Sequence, residues 1–227
     1  MSNKSPRKQP RQARSKATVS AVLEATIRIL DREGPDAATT TRIAEVAGIS
    51  IGTLYQYFSD RDAILDALQD REFERAMELM QRVLGSAGES GVARDVARDV
   101  IRGLLSLYAE APGLHRVLAL EGLRVSEAHR VHAFDMRVIG VVRHFLTVSK
   151  HPVRRKNVDA AAFVVFQSVR ASMLARMLES PVGVDDETLT EELTDMVLRY
   201  LVHDPADVTL ERRTAHRETT RRSVRAT

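Results

Sequence analysis

The chain has 227 residues, 44% hydrophobic and 29% charged, a balance that supports a folded core and excludes a disordered chain. It has no cysteine, which excludes disulfides, thiolate nucleophiles and cysteine metal sites and leaves stability to packing. The net charge is only +3, no run approaches the roughly 18 apolar residues of a membrane span, and the first twenty residues lack the apolar stretch of a secretory signal, so a cytoplasmic protein is expected.

Charge gathers at the two ends. Lys4, Arg7, Lys8, Arg11, Arg14 and Lys16 meet no acidic residue before Ser20; residues 1–14 read as a basic disordered arm, either touching phosphates or simply solvated. A first helix is predicted over 15–33, where Val19, Val22, Leu23, Thr26, Ile27 and Leu30 form one apolar stripe and Gly34-Pro35 ends it. Short helices over 40–46 and 51–57 follow, then a longer one over 61–84. The glycine-rich segment 85–91 marks a domain boundary.

Beyond it, helices are predicted over 92–110, 114–125, 126–150, 153–180 and 186–203, punctuated by Pro112, Pro152, Pro181 and Pro205. Residues 205–227 read as a flexible basic tail. No alternation of β-branched residues persists, so the fold class is all-α. The domains expected are a DNA-binding unit over 15–60, a connecting helix over 61–84 and a larger helical unit over 85–204.

The stretch from Thr39 to Phe58 carries the chemistry. A threonine hydroxyl can cap the first short helix, whose Ile43, Val46 and Ala47 point inward, and Gly48 permits the left-handed backbone of a sharp turn. Ile49 anchors the turn and Ser50 can cap the second helix. Gly52 and Thr53 let that helix approach a DNA groove closely, while Leu54 and Phe58, four apart, fasten it from behind. Tyrosine and threonine hydroxyls suit phosphate oxygens, Gln56 can pair with adenine, and Arg61 can clamp another phosphate.

This stretch resembles the DNA-binding domain of the TetR family, whose pattern runs T-x-x-x-I-A-x-x-A-G-V-S-x-G-T-L-Y-x-Y-F-x-x-K. Thr39, Ile43, Ala44, Ala47, Gly48, Ser50, Gly52, Thr53, Leu54, Tyr55, Tyr57 and Phe58 fit it; Ile49 replaces valine and Arg61 replaces lysine. Ile51 fills a variable position, where it touches a thymine methyl or only the backbone. The resemblance implies that Thr40, Thr41, Ser50, Gly52, Thr53, Tyr55, Tyr57 and Arg61 face DNA, together with Arg42 and Gln56, and that Arg14 and Lys16 add phosphate contacts.

It also implies a repressor that binds a palindromic operator in double-stranded DNA as a homodimer and is released by a small effector. The small residues Ala160, Ala161, Ala162, Ser168, Ala171, Ser172 and Ala175 and the stripe Leu189, Leu193, Met196, Val197, Tyr200 and Leu201 are compatible with a four-helix dimer interface. Candidate effector-lining residues are Leu104, Leu107, Tyr108, Leu118, Glu121, Phe134, Val138, Phe163, Phe166, Gln167, Arg170 and Met173, each with an alternative reading as core; their apolar majority points to an apolar or amphipathic effector. No cofactor or metal is expected: His129 and His132 lie three apart, and His115 and His144 stand elsewhere, with no matching ligand set. No G-x-S-x-G, G-x-x-x-x-G-K, H-E-x-x-H or G-x-G-x-x-G occurs, so no enzyme is expected.

Overall fold

The apolar stripe of the first long segment produces helix α1 (Gln9–Arg32) in a computed structural model that describes residues 9–87, 93–122, 128–148, 153, 155–179 and 181–201. Lys4, Arg7 and Lys8 of the arm, glycine-rich residues 88–91 and the tail 205–227 lie outside the described residues. The helix starts earlier than the sequence predicts. Residues 9–14, read as arm, form its first turns, since Pro10 is tolerated where no intrahelical N–H bond is lost and the residues around it propagate a helix well.

Helices α2 (Thr40–Ala47), α3 (Ile51–Tyr55), α4 (Arg61–Ala87), α5 (Ala93–Ala109), α6 (Pro112–Glu121), α7 (Ala128–Val148), α8 (Val158–Glu179) and α9 (Asp186–Leu201) follow. Their caps explain their limits. Pro112 opens α6 instead of merely stopping α5, Asn157 Oδ1 accepts from Ala160 N (3.0 Å) at the start of α8, and Asp185 Oδ1 accepts from Thr188 N (2.7 Å) at the start of α9. Helix α4 continues through Gly85 to Ala87, because one glycine costs a helix only about 1 kcal/mol.

The described residues divide into two compact units, one within Met1–Glu78 and Leu104–Phe134, the other within Leu79–Gly103 and Asp135–Thr227. In the first, Val22, Ala25, Ile29, Ile43, Leu54, Ile64 and Leu68 pack with Leu114 and Leu118 of α6. Helix α6 sits against α1 with unusual closeness. A Cβ on Gly113 would lie 2.6 Å from Leu30 O and 2.8 Å from Asp31 Cα, and Asp31 Oδ1 accepts from Gly113 N (2.7 Å) and Leu114 N (3.3 Å), capping α6 from another helix.

Glu72 of α4, 3% exposed, is the hub of this unit's charges. Its carboxylate receives Arg71 Nε (3.3 Å) and Arg75 Nη1 (2.9 Å) and lies 3.5 Å from His115 Nε2; Arg71 also reaches Glu24 of α1 (2.8 Å) and Arg75 reaches Glu110 (2.5 Å). Burial alone would push the Glu72 carboxyl up, but His115 and the charges of Arg75 and Arg71 outweigh it and hold the group below the usual range. A lowered folded value means stability that is complete above the ordinary carboxylate range and lost as pH falls through the lowered value. Glu72→Gln is therefore expected to cost about 2 kcal/mol near neutral pH, with the difference from wild type shrinking on acidification. Urea unfolding across pH checks this, and a pH-independent difference would refute it.

In the second unit, Leu146, Ala161, Ala162, Val165, Val197 and Leu201 form the core. A ladder sets the register of α5 against α9: Arg94 pairs with Glu191 (3.5 Å) and Asp195, Arg98 with Glu191 (2.6 Å) and Glu187 (3.3 Å), and Arg102 with Glu187 (2.9 Å). The residues on both sides recur every four, so the two helices offer matching rows.

Helix α8 corrects one expectation. It is long and apolar enough to cross a membrane by length and composition alone. Alanines and valines make it apolar while Arg170 and Arg176 interrupt it, pairing with Asp135 (3.5 Å) and Asp186 (3.3 Å). Ala161, Ala162, Val165 and Met173 are buried in the unit, whereas Phe163 and Val164 stand exposed.

Candidate nucleic-acid interface

Thr39, Gly48 and Ser50 shape the helix-turn-helix. Thr39 Oγ1 accepts from Arg42 N (3.2 Å) to cap α2, and Gly48 leaves α2 at φ 68°, which a side chain would strain. Ser50 Oγ accepts from Thr53 N (3.0 Å) to cap α3 and lies 2.8 Å from Thr53 Oγ1. The predicted helix over 51–57 ends at Tyr55. Gln56 N and Tyr57 N donate to Thr53 O (3.2 Å) and Leu54 O (2.9 Å), the i→i+3 bonds of a closing turn.

Leu54 is wholly buried and Phe58 nearly so, and both join the core with Ile43 and Ile64. This fixes α3 from behind and turns the opposite side outward. Gly52, Tyr55, Gln56 and Tyr57 are exposed, and Thr53 is half-buried. On α2, Thr41 is exposed and Thr40 half-buried, its Oγ1 3.2 Å from Tyr55 OH, so the two helices share a polar link on that side. Arg14 and Lys16 are exposed on α1.

The two arginines differ. Arg61 is half-buried; its Nη2 donates to Pro35 O at a long 3.4 Å and its Nη1 is 3.9 Å from Asp62, loose contacts that a phosphate could replace. Asp60 caps α4 behind it through Ala63 N (2.8 Å), and that bond, with one from Ser59, holds the Asp60 carboxyl low. Arg42, in contrast, is fully engaged. It grips Glu33 through Nε (3.2 Å) and Nη2 (3.0 Å) and Glu45 through Nη1 (2.9 Å). The hydrogen bond from Arg42 holds the Glu33 carboxyl low, and those carboxylates raise the guanidinium further.

The sequence reading of Arg42 as a DNA contact did not see Glu33, nine residues away across the turn after α1. Asp60, an acidic residue just before a helix, is a capping signal legible in the sequence, whereas Asp31 caps a helix 82 residues away and is not. The suggested effector residues fall on both units. Leu107 and Leu118 are buried in the first, with Leu104, Tyr108, Glu121 and Phe134 half-buried; Val138 and Met173 are buried in the second, with Phe166, Gln167 and Arg170 half-buried and Phe163 exposed. Phe134 stacks on Phe73 at 4.0 Å, and Tyr108 lies 4.9 Å from the His115 ring.

The chain is similar to known proteins over most of its length. Residues 22–68 match the family model described as bacterial regulatory proteins, tetR family, and residues 94–201 match that of the tetracyclin repressor-like C-terminal domain, together about two thirds of the chain. The nucleoid occlusion factor SlmA of Haemophilus influenzae is 27% identical over 166 residues, 70% of either chain. An HTH-type transcriptional regulator from the dhlA 5′ region of Xanthobacter autotrophicus is 24% identical over 188 residues, 82% of this chain and 91% of its own. A TetR-like transcriptional regulator of Rhodococcus sp. RHA1 superposes with a TM-score of 0.57 at 22% identity, covering 85% of this chain and 97% of that one, a likeness of fold.

Proposed function

Since the chain belongs to the TetR family of DNA-binding transcriptional regulators, a non-enzymatic family, we propose that it is a homodimeric repressor that binds a palindromic operator and leaves it when a small apolar or amphipathic effector binds. The observation that carries the DNA reading is the one-sidedness of α3 and the turn after it: Leu54 holds α3 to the core while Gly52 and Tyr55, with Gln56 and Tyr57 just beyond, are exposed. Tyr55, Tyr57, Thr41, Thr53 and Arg61, with Arg14 and Lys16, act on phosphates, and Gln56 reads a base. Arg42 serves to clamp α2 to the end of α1.

The dimer reading is supported by α8. Phe163 and Val164 are apolar and exposed, and Gln167 and Ala171 continue their side of the helix without charge. A second copy of this helix, with α9 and its exposed Met196, is a suitable cover. The effector reading is supported, within the second unit, by half-buried Phe166 and Arg170, an apolar body and a polar handle one turn apart on α8; ligand binding there would shift a two-state equilibrium.

Footprinting tests the whole reading. The expected result is a discrete palindromic footprint with half-site centres about 34–36 Å apart, lost on addition of a lipophilic compound that raises the melting temperature; uniform coverage would indicate an architectural protein instead. Arg61→Ala is expected to flatten the dependence of log K on log salt by about 1 per protomer for every sequence tested. An unchanged slope removes Arg61 from the phosphate contacts. Gln56→Ala, by comparison, is expected to alter preference at one base pair of each half-site.

A further inference from the structure

We infer that Ile51 is a specificity-determining residue that reads the 5-methyl group of a thymine in each operator half-site, an inference that rests on the DNA-binding reading above. Among the described residues of the first unit, Leu120 on α6 apart, the exposed large hydrophobic side chains are three: Ile51 at 40%, Tyr55 at 52% and Tyr57 at 38%. All three fall in one stretch of seven residues on or just after α3. Both tyrosines carry a hydroxyl that suits phosphate or a polar neighbour, and Tyr55 OH already lies 3.2 Å from Thr40 Oγ1. Ile51 has no polar atom beyond the backbone. Its exposed methyls gain nothing from a phosphate, and neither the core nor a cap requires them.

The surroundings of Ile51 narrow the target. Residues four apart share a helix side, so Ile51 stands with Tyr55 on α3. Next to it, Gly52 offers no side chain, and a Cβ there would meet only Ser50 Oγ, at 3.9 Å, so the space beside Ile51 is open to an incoming duplex. The hydroxyls of Ser50 and Thr53 are turned to each other at 2.8 Å, with Ser50 also accepting from Thr53 N, so only one of their two protons is left for an outside acceptor such as a phosphate. The major groove presents one apolar feature to an apolar side chain, the thymine methyl; every other group there is a donor or an acceptor.

The test uses the full chain and the palindrome it selects from random duplex DNA. Each half-site thymine is replaced in turn by deoxyuridine, which removes the methyl and keeps every hydrogen bond. At one thymine per half-site, wild type is expected to bind about fourfold more weakly for each methyl removed, from the transfer of one buried methyl-sized group, and on the order of tenfold more weakly when both half-sites are changed. Ile51→Ala should bind the thymine and deoxyuridine duplexes equally, with an unchanged melting temperature because the side chain is exposed. If wild type and Ile51→Ala respond alike at every thymine, or if no selected half-site contains thymine, Ile51 is not the methyl reader although the DNA-binding reading stands. If no sequence is selected at all, both readings fall together.

Discussion

Leu54→Ala is expected to destabilise the protein by roughly 2–5 kcal/mol, the range for emptying a fully buried leucine site in a core that collapses only partly around the cavity. Leu54 is 0% exposed and touches the same core as Ile43, Phe58 and Ile64, so the loss falls on the unit that carries α2 and α3. Sequence-specific binding should weaken more than stability alone predicts, because α3 is only five residues long and has no other apolar anchor than Leu54 and the adjoining Phe58. Urea unfolding gives the first quantity and operator titration at a temperature where the variant remains folded gives the second. For the urea measurement alone, Ile51→Ala serves as the control, since it removes a comparable side chain from an exposed position. Equal stability of Leu54→Ala and wild type would show that α3 is not held as described.

Gly113→Ala is the second large effect. Ordinarily alanine favours a helix over glycine by about 1 kcal/mol, and Gly113 lies in the first turn of α6. Here the added Cβ would sit 2.6 Å from Leu30 O, 2.7 Å from Asp31 Oδ1 and 2.8 Å from Asp31 Cα. Two of those atoms are backbone, which cannot swing aside, so α6 must withdraw from α1. The withdrawal stretches both hydrogen bonds from the α6 amides to Asp31. A net loss of about 2–3 kcal/mol is expected from overpacking and a weakened cap. Asp31→Ala, which removes the cap alone, should cost about 1 kcal/mol. Equal or greater stability of Gly113→Ala in thermal unfolding would mean that the contact between α1 and α6 relaxes freely.

The helical class and the turn between α2 and α3 were legible in the sequence because both depend on near neighbours. Apolar residues three and four apart define a helix side, and Gly48, Ser50, Leu54 and Phe58 each act within a turn or two of their own position. The length of α1 was less legible, since Pro10 and the run of basic residues look like an arm until they are seen continuing a helix. The sequence also singled out Tyr55 and Tyr57, which the structure leaves exposed, and Arg61, which it leaves half-buried.

What the sequence alone determined is therefore local: the periodicity that makes every described element helical, the glycine and serine that bend and cap the motif, and the family to which that motif points. Only the tertiary structure decided which of several similar side chains is engaged and which is open. Arg42 is taken by Glu33, Asp31 caps a helix more than eighty residues away, Glu72 gathers charges from distant segments, and Ile51 keeps two fifths of its surface exposed. The physical reason is that burial and pairing belong to the packed arrangement: a guanidinium or a methyl has the same covalent structure wherever it stands, and its role is set by what the folded chain brings within about 3 to 4 Å of it.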